Sequence, residues 1–363
     1  ETGDEALLSG LRSVYVDITE RKMYLTGGVG STYRTESFTV PYDLPNATAY
    51  NESCAAIALV LFAARMRELD RRSVYGDTVE RVLYNGLLSS TSLDGKSFFY
   101  ENPLEITLSE RGRETAVPVR SREHLPITQR VELFGCSCCP PNINRFFGRF
   151  SDFLAIEEGG HLTVEQYVSA ALHSRYGTVT VTEQYAAQGT VTVSAQDYTA
   201  GTLCLRLPSW CREYSALLNG EVVRLTAEDG YLTASVPSAF ELKLDFRMQP
   251  AFVTAHPLVR EDAGKVALTM GPVVYCLEGV DNGNRLWQVS VDPARLGDAR
   301  IEPDSFSGFC RITVPAFRDR CGADCLYPSG AAVEAEPFPA VFLPYYAFAN
   351  RGESDLAVWI RKR

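Results

Sequence analysis

Near residue 157 the chain changes its period, and that change bounds what it can fold into. Upstream, apolar residues recur at helical spacing: Leu7, Leu8, Leu11 and Val14, with Tyr15 extending the surface. A second helix is expected over 48–68, apolar almost all round from Ala55 to Leu61 and therefore deeply buried. Asp77 stands where an N-cap would open a third helix over 78–88, and Phe146, Phe147, Phe150 and Phe153 line a fourth over 144–154. Residues 96–100 read as a strand-like insertion between them. Downstream, alternation takes over at 178–182, 190–193, 203–207 and 266–270, with turn residues between. Short strands at that spacing predict β-sandwiches. Residues 356–360 read as a final strand that returns to an earlier sheet. Four helices are too few to close a toroid of paired helices, yet too apolar to stand alone. The helical part therefore reads as the remainder of a larger helical domain, and the fold class as α+β multidomain.

Chemistry concentrates at Cys136-Ser137-Cys138-Cys139-Pro140-Pro141-Asn142. Proline is favoured in the first helical turn, so a helix is expected to start near Pro140 or Pro141, with Cys138 and Cys139 just ahead of it. Free backbone N–H groups and the positive end of the helix dipole favour a thiolate there, and a thiolate is both metal ligand and nucleophile. Glu52-Ser53-Cys54 opens the earlier buried helix. Together, Glu52, Cys54 and two of the later thiolates could fill a tetrahedral zinc site. Residues two apart on a regular helix do not share a face, so Glu52 and Cys54 both reach one ion only where the backbone is irregular or in a first turn. Free cysteines are also commonly plain core residues. Spacing alone leaves both readings open.

The totals exclude other classes. In 363 residues the formal net charge is −10 and the 35 Lys and Arg form no long block, which disfavours a non-specific nucleic-acid binder. No apolar run approaches the ~20 residues of a membrane span. The chain opens Glu1-Thr2-Gly3-Asp4, without a basic-then-apolar leader, and a cytoplasmic location is the expectation. Three of the ten cysteines cluster at 136, 138 and 139, too close to bridge one another as structural disulfides, which suits reducing conditions. Gly27-Gly28-Val29-Gly30 lacks the G-x-G-x-x-G pattern and reads as a tight loop rather than a phosphate cradle. The four histidines (His124, His161, His173, His256) show no ligand spacing.

Several motifs, in their order, resemble glycoside hydrolase family 127, the β-L-arabinofuranosidases. They are Leu25-Thr26-Gly27-Gly28-Val29-Gly30-Ser31, Glu36-Ser37-Phe38, Tyr42-Asp43-Leu44-Pro45-Asn46 and Ala49-Tyr50-Asn51-Glu52-Ser53-Cys54-Ala55. Phe98-Phe99-Tyr100-Glu101-Asn102-Pro103-Leu104 and Cys138-Cys139-Pro140-Pro141-Asn142 follow, then Leu205 to Cys211 and Gly271 to Tyr275. The resemblance implies part of an (α/α)6 barrel over 1–156, a β-sandwich over 157–255 that regains 350–363, and a second sandwich over 256–349. It implies zinc held by Glu52, Cys54, Cys138 and Cys139, with Cys138 as nucleophile. Glu36 would be the acid/base and Tyr100 a sugar contact, acting on a terminal β-L-arabinofuranoside with retention. Asp43 and Glu101 are rival carboxylates, ranked below Glu36 by the resemblance alone. Family members carry several hundred residues of barrel before the point where this chain begins. The expectation is thus a C-terminal part whose sugar pocket is completed elsewhere.

Three other readings compete. One keeps the chemistry on another rare sugar. Another is a non-catalytic carbohydrate-binding or structural fragment with a closed zinc site. A third is a thiol redox protein using Cys136 and Cys139, which lacks the expected βαβ context. The partner expected is a carbohydrate, not nucleic acid or membrane; the sandwiches offer surface for a homodimer, which nothing in their pattern demands.

Overall fold

The computed structural model describes residues 3–108, 128–321, 326–327 and 333–363; His124 lies outside them. Helix α1 spans Glu5–Arg21, α2 Ser53–Leu69, α3 Ser73–Arg81 and α4 Cys139–Phe147. In α1, Tyr15 is buried but Leu7 and Val14 are exposed, so the expected apolar stripe is not all core. Helix α2 starts at Ser53 rather than near 48. Asn51 takes a left-handed backbone (φ 40°), and Glu52 pairs as an isolated bridge with Glu101. Helix α3 starts before Asp77, which is therefore no N-cap: its carboxylate accepts from Arg206 and from the Ser209 N–H. α3 runs on into a π-helical stretch, Val82–Leu87. There the fully buried Asn85 donates to the Pro272 carbonyl and accepts from the Val274 N–H. The Phe-rich segment divides into α4 and a 3-10 turn, Phe150–Phe153.

The chain forms two compact units. One holds 1–15, 57–83 and 138–249; the other holds 16–56, 84–137 and 250–363. The first contains a five-stranded sheet in the order Thr226–Glu228, Tyr231–Ser235, Thr202–Arg206, His161–Val164, Ala155–Glu158. It also contains a six-stranded antiparallel sheet from Ala170–Ser174 through Phe240–Asp245 to Glu221–Val222. Alternation does what the sequence pattern requires: Leu242 and Leu244 are buried, Glu241 and Lys243 exposed.

The second unit is built on a ten-stranded sheet. Several of its pairings cross the expected boundaries. Glu105–Ile106, from the helical region, pairs with Leu356–Ala357. The closing residues do not return to the sheets of 157–249: Ile360–Lys362 pairs with Lys265–Val266 and runs parallel to Val289–Val291. The preceding short strand, Leu356–Ala357, pairs with Leu277–Glu278, so both closing strands join this sheet. Residues 250–253, expected in the first sandwich, pair with 267–270 in this same sheet. Among the described residues no helix is long and apolar enough to cross a membrane.

One buried carboxylate in this unit has a pH signature. Asp262 accepts from Asn46 Nδ2 at 2.7 Å, while Asn46 Oδ1 is buried without a partner. Burial pushes the Asp262 carboxyl up to about 6, against the pull of the Asn46 hydrogen bond. The folded state therefore holds this proton more tightly than the unfolded chain. Stability falls as pH rises from about 4 to about 6, then levels. Asp262→Asn supplies an N–H for Asn46 Oδ1 and removes the titration. It is expected to raise stability at pH 7 by about 1–3 kcal/mol and to flatten that slope. Thermal midpoints at pH 4.5 and 7 check this; an unchanged slope would acquit Asp262.

Candidate metal and catalytic site

The site is assembled around the start of α2. The glycine-rich loop sets its approach: the Asn51 N–H donates to the Gly30 carbonyl at 3.0 Å, and Tyr24 N–H to Gly28 at 3.0 Å. A Cβ on Gly28 would meet the Asn51 side chain at 2.7 Å, so glycine here leaves room for that side chain. Ser53 then locks the first turn. Its N–H donates to the Tyr100 carbonyl and its hydroxyl bonds Phe99 O and Ser90 Oγ, both at 2.8 Å. Glu52 stays outside the helix, in its bridge with Glu101. That break in regularity removes the facing problem for a carboxylate two residues before Cys54.

The later thiols sit as Pro140 and Pro141 dictate. Cys138 is the N-cap of α4, Cys139 is its first residue, and the prolines occupy the first turn, where their missing N–H groups cost nothing. Cys139 is buried and Cys138 exposed. One ligand atom each from Glu52, Cys54, Cys138 and Cys139 lies within 4.8 Å of all the others. Cys138 Sγ and Cys139 Sγ are 3.7 Å apart. Tetrahedral zinc with bonds of about 2.3 Å to sulfur needs S···S edges of about 3.8 Å. The sulfur pair matches that edge, and the four side chains could hold a metal ion. Cys136, the third thiol of the run, is exposed and stands outside this group.

A second constellation centres on Glu36. This residue holds a left-handed backbone (φ 48°), unusual for a side-chain-bearing residue and a form of strain that recurs at functional sites. Tyr100 Oη donates to Glu36 Oε1 at 3.2 Å. Tyr50 also bonds both Glu36 and Tyr100 through its hydroxyl. Burial drives the Tyr50 phenol well above its ordinary range. The Tyr100 hydrogen bond opposes this, and Glu36 and the Glu52 charge reinforce it. Tyr50 is thus a neutral hydrogen-bonding group between the carboxylate of the cysteine cluster and Glu36. Phe134 stacks on Tyr100 at 5.1 Å. The rival carboxylate Glu101 is buried beside Glu52.

Sequence reasoning did not single out Tyr50 or Phe134. The partners of Tyr50, Glu36 and Tyr100, lie far from it along the chain, and no spacing rule links the three.

Comparison with known proteins gives this geometry a context. The description "Beta-L-arabinofuranosidase, GH127 catalytic domain" matches residues 1–152, the GH127 middle domain 161–248 and the family 127 C-terminal domain 250–361. A non-reducing end β-L-arabinofuranosidase of Bifidobacterium longum subsp. longum is 34% identical over 99% of this chain and 56% of its own length. The crystal structure of a GH127 β-L-arabinofuranosidase from Geobacillus stearothermophilus T6 superposes with a TM-score of 0.89 at 37% identity, over 99% of this chain and 57% of that one. A second solved GH127 β-arabinofuranosidase gives 0.85 at 30% identity, over 100% of this chain and 57% of that one. The mixed α and β architecture and the matched domains are those of a glycoside hydrolase. Within that class, the chain belongs to family 127. It spans somewhat more than half the length of these relatives.

Proposed function

We propose that this chain carries the zinc and catalytic residues of a retaining exo-glycosidase acting on terminal β-L-arabinofuranosides. The observation that carries this reading is the Glu52, Cys54, Cys138, Cys139 group, with its 3.7 Å sulfur pair at the start of α4. The similarity to two β-L-arabinofuranosidases supplies the sugar. In the same reading, residues 1–156 are the later part of an (α/α)6 barrel and the sheets that follow are β-sandwiches. Residues 350–363 go with the last of these, following their strand pairing.

Zinc, when bound, would lower the thiolate pKa and fix the sulfur's direction. The remaining chemistry belongs to the chain. Cys138 Sγ attacks the anomeric carbon while Glu36 gives its proton to the leaving glycosidic oxygen; a C–S bond forms as C–O breaks. Water then attacks the same carbon, Glu36 takes its proton, and the sulfur leaves as thiolate. Two inversions give net retention, as in carboxylate double displacement. Tyr100 and Tyr50 hold the Glu36 carboxylate in one orientation through both steps.

Metal content tests the site without any assay of turnover. Native mass spectrometry of protein purified under reducing conditions is expected to show about one zinc per chain. Cys139→Ala, which removes a buried ligand, is expected to lose it. Zinc retained at full occupancy by Cys139→Ala would rule out this ligand set.

A further inference from the structure

A cavity lined by none of the residues of the metal and Glu36 constellations has the chemistry of a sugar subsite. It encloses about 100 Å³ on the ten-stranded sheet, where Glu105–Ile106, Leu356–Ala357 and Ile360–Lys362 come together. Two of the chain's three tryptophans, Trp287 and Trp359, line it. Trp359 packs on the core as one wall, and Trp287 stands 44% exposed. Tryptophan usually partners its N–H when it leaves water, as Trp210 does by donating to Glu80 at 3.0 Å. Neither Trp287 nor Trp359 donates to a described protein group, and neither is fully buried, so both indoles are accessible to a ligand or to water.

The frame is fixed in advance. Buried Asp355 accepts from the Leu108 N–H at 2.9 Å and the Arg285 N–H at 2.8 Å, tying down both segments that flank the cavity. Arg285 takes a left-handed backbone (φ 63°) to launch the turn that presents Trp287. Such strain in a residue with a side chain is characteristic of ligand clamps. At the rim, Glu105 and Lys265 stand 3.9 Å apart, too far for a direct hydrogen bond and spaced for a group that donates to one and accepts from the other. The charged lining, Glu105 and Asp355 against Lys265 and Arg361, sums to zero. A formal anion or cation gains nothing from it. A neutral ligand with one apolar face and a ring of hydroxyls matches both the indoles and the rim.

We propose that this cavity binds a neutral sugar unit of a glycan chain, apart from the catalytic group. The choice of glycan rests on the glycosidase reading above. The test uses protein with 15N-labelled indoles carrying Cys138→Ser, titrated with an L-arabinofuranose oligosaccharide. The cross-peaks assigned to Trp287 and Trp359 by their loss in W287F and W359F are expected to shift and saturate. Trp287→Ala is expected to weaken this binding at least tenfold, and Lys265→Gln severalfold. The proposal is overturned if neither indole moves, or if binding is indifferent to both substitutions. Cleavage of an aryl β-L-arabinofuranoside by the complete protein, measured separately with Cys138 intact, keeps the two ideas apart. Cleavage without indole shifts removes the subsite alone; indole shifts without cleavage support the subsite while removing the catalytic reading.

Discussion

In the complete protein, Cys138→Ser is expected to lower kcat/KM for an aryl β-L-arabinofuranoside by about 10,000-fold or more, the scale seen when a covalent nucleophile is lost. The argument starts from position. Cys138 caps α4, where unpaired backbone N–H groups and the helix dipole favour a negative sulfur. A serine hydroxyl at the same place stays protonated and has no base assigned to activate it. Its oxygen keeps the size of the site, so the fold is not expected to suffer. Cys136→Ser is the matched control: the same exchange two residues upstream, on an exposed thiol outside the group, with turnover expected within about twofold. Zinc is measured on the same samples. Near-normal turnover in Cys138→Ser would eliminate this residue as nucleophile, whatever the metal content.

How much of this was legible in sequence depended on whether the determining interaction was local. Pro140-Pro141 announced the start of α4 because proline's constraint acts within its own turn, and α4 begins at Cys139. The four residues nominated as ligands have their ligand atoms brought together. The irregular backbone at Glu52 was stated as a requirement, and a left-handed Asn51 with a bridge to Glu101 meets it. Asp77 shows the opposite case. Its side chain is a good N-cap in isolation, but Arg206 lies 129 residues away and takes it as a counter-ion, so the helix starts earlier. Tyr50 was hidden for the same reason: its partners are set by folding, not by spacing. The destination of the last strands was equally invisible, because alternation identifies a strand but not its neighbour.

Arg206→Met is expected to cost the unit that contains it about 3–5 kcal/mol, the largest stability loss of any single substitution considered. Arg206 is fully buried. It donates to Asp77, to Glu80 at 2.6 Å and to the Glu165 carbonyl at 2.6 Å. Burial alone would depress its pKa, but Glu80 and Asp77 outweigh that and hold it well above the ordinary range. Glu80 is satisfied in turn by the Tyr185 hydroxyl and the Trp210 indole. Methionine fills much of the volume yet leaves Asp77 and Glu80 in a low-dielectric interior with Arg81, which acts on both, as their remaining counter-charge. That stranded charge, rather than the lost attraction, makes the cost large. Two consequences separate this account from simple loss of packing. Adding Glu80→Gln to Arg206→Met should recover at least 1 kcal/mol, because it removes one stranded charge. The gap to wild type should also narrow as pH falls and Asp77 takes a proton, since burial already raises its pKa and protonation relieves the variant more than the paired parent. An exposed pair in the same unit, Arg247 with Glu213 at 2.9 Å, gives the scale for comparison. Arg247→Met is expected to change the denaturation midpoint little, since such surface pairs contribute about 0–1 kcal/mol. If Arg206→Met were equally mild, or its loss independent of pH, the buried network would be packing with incidental charges rather than a charge balance that fixes α3 against the five-stranded sheet.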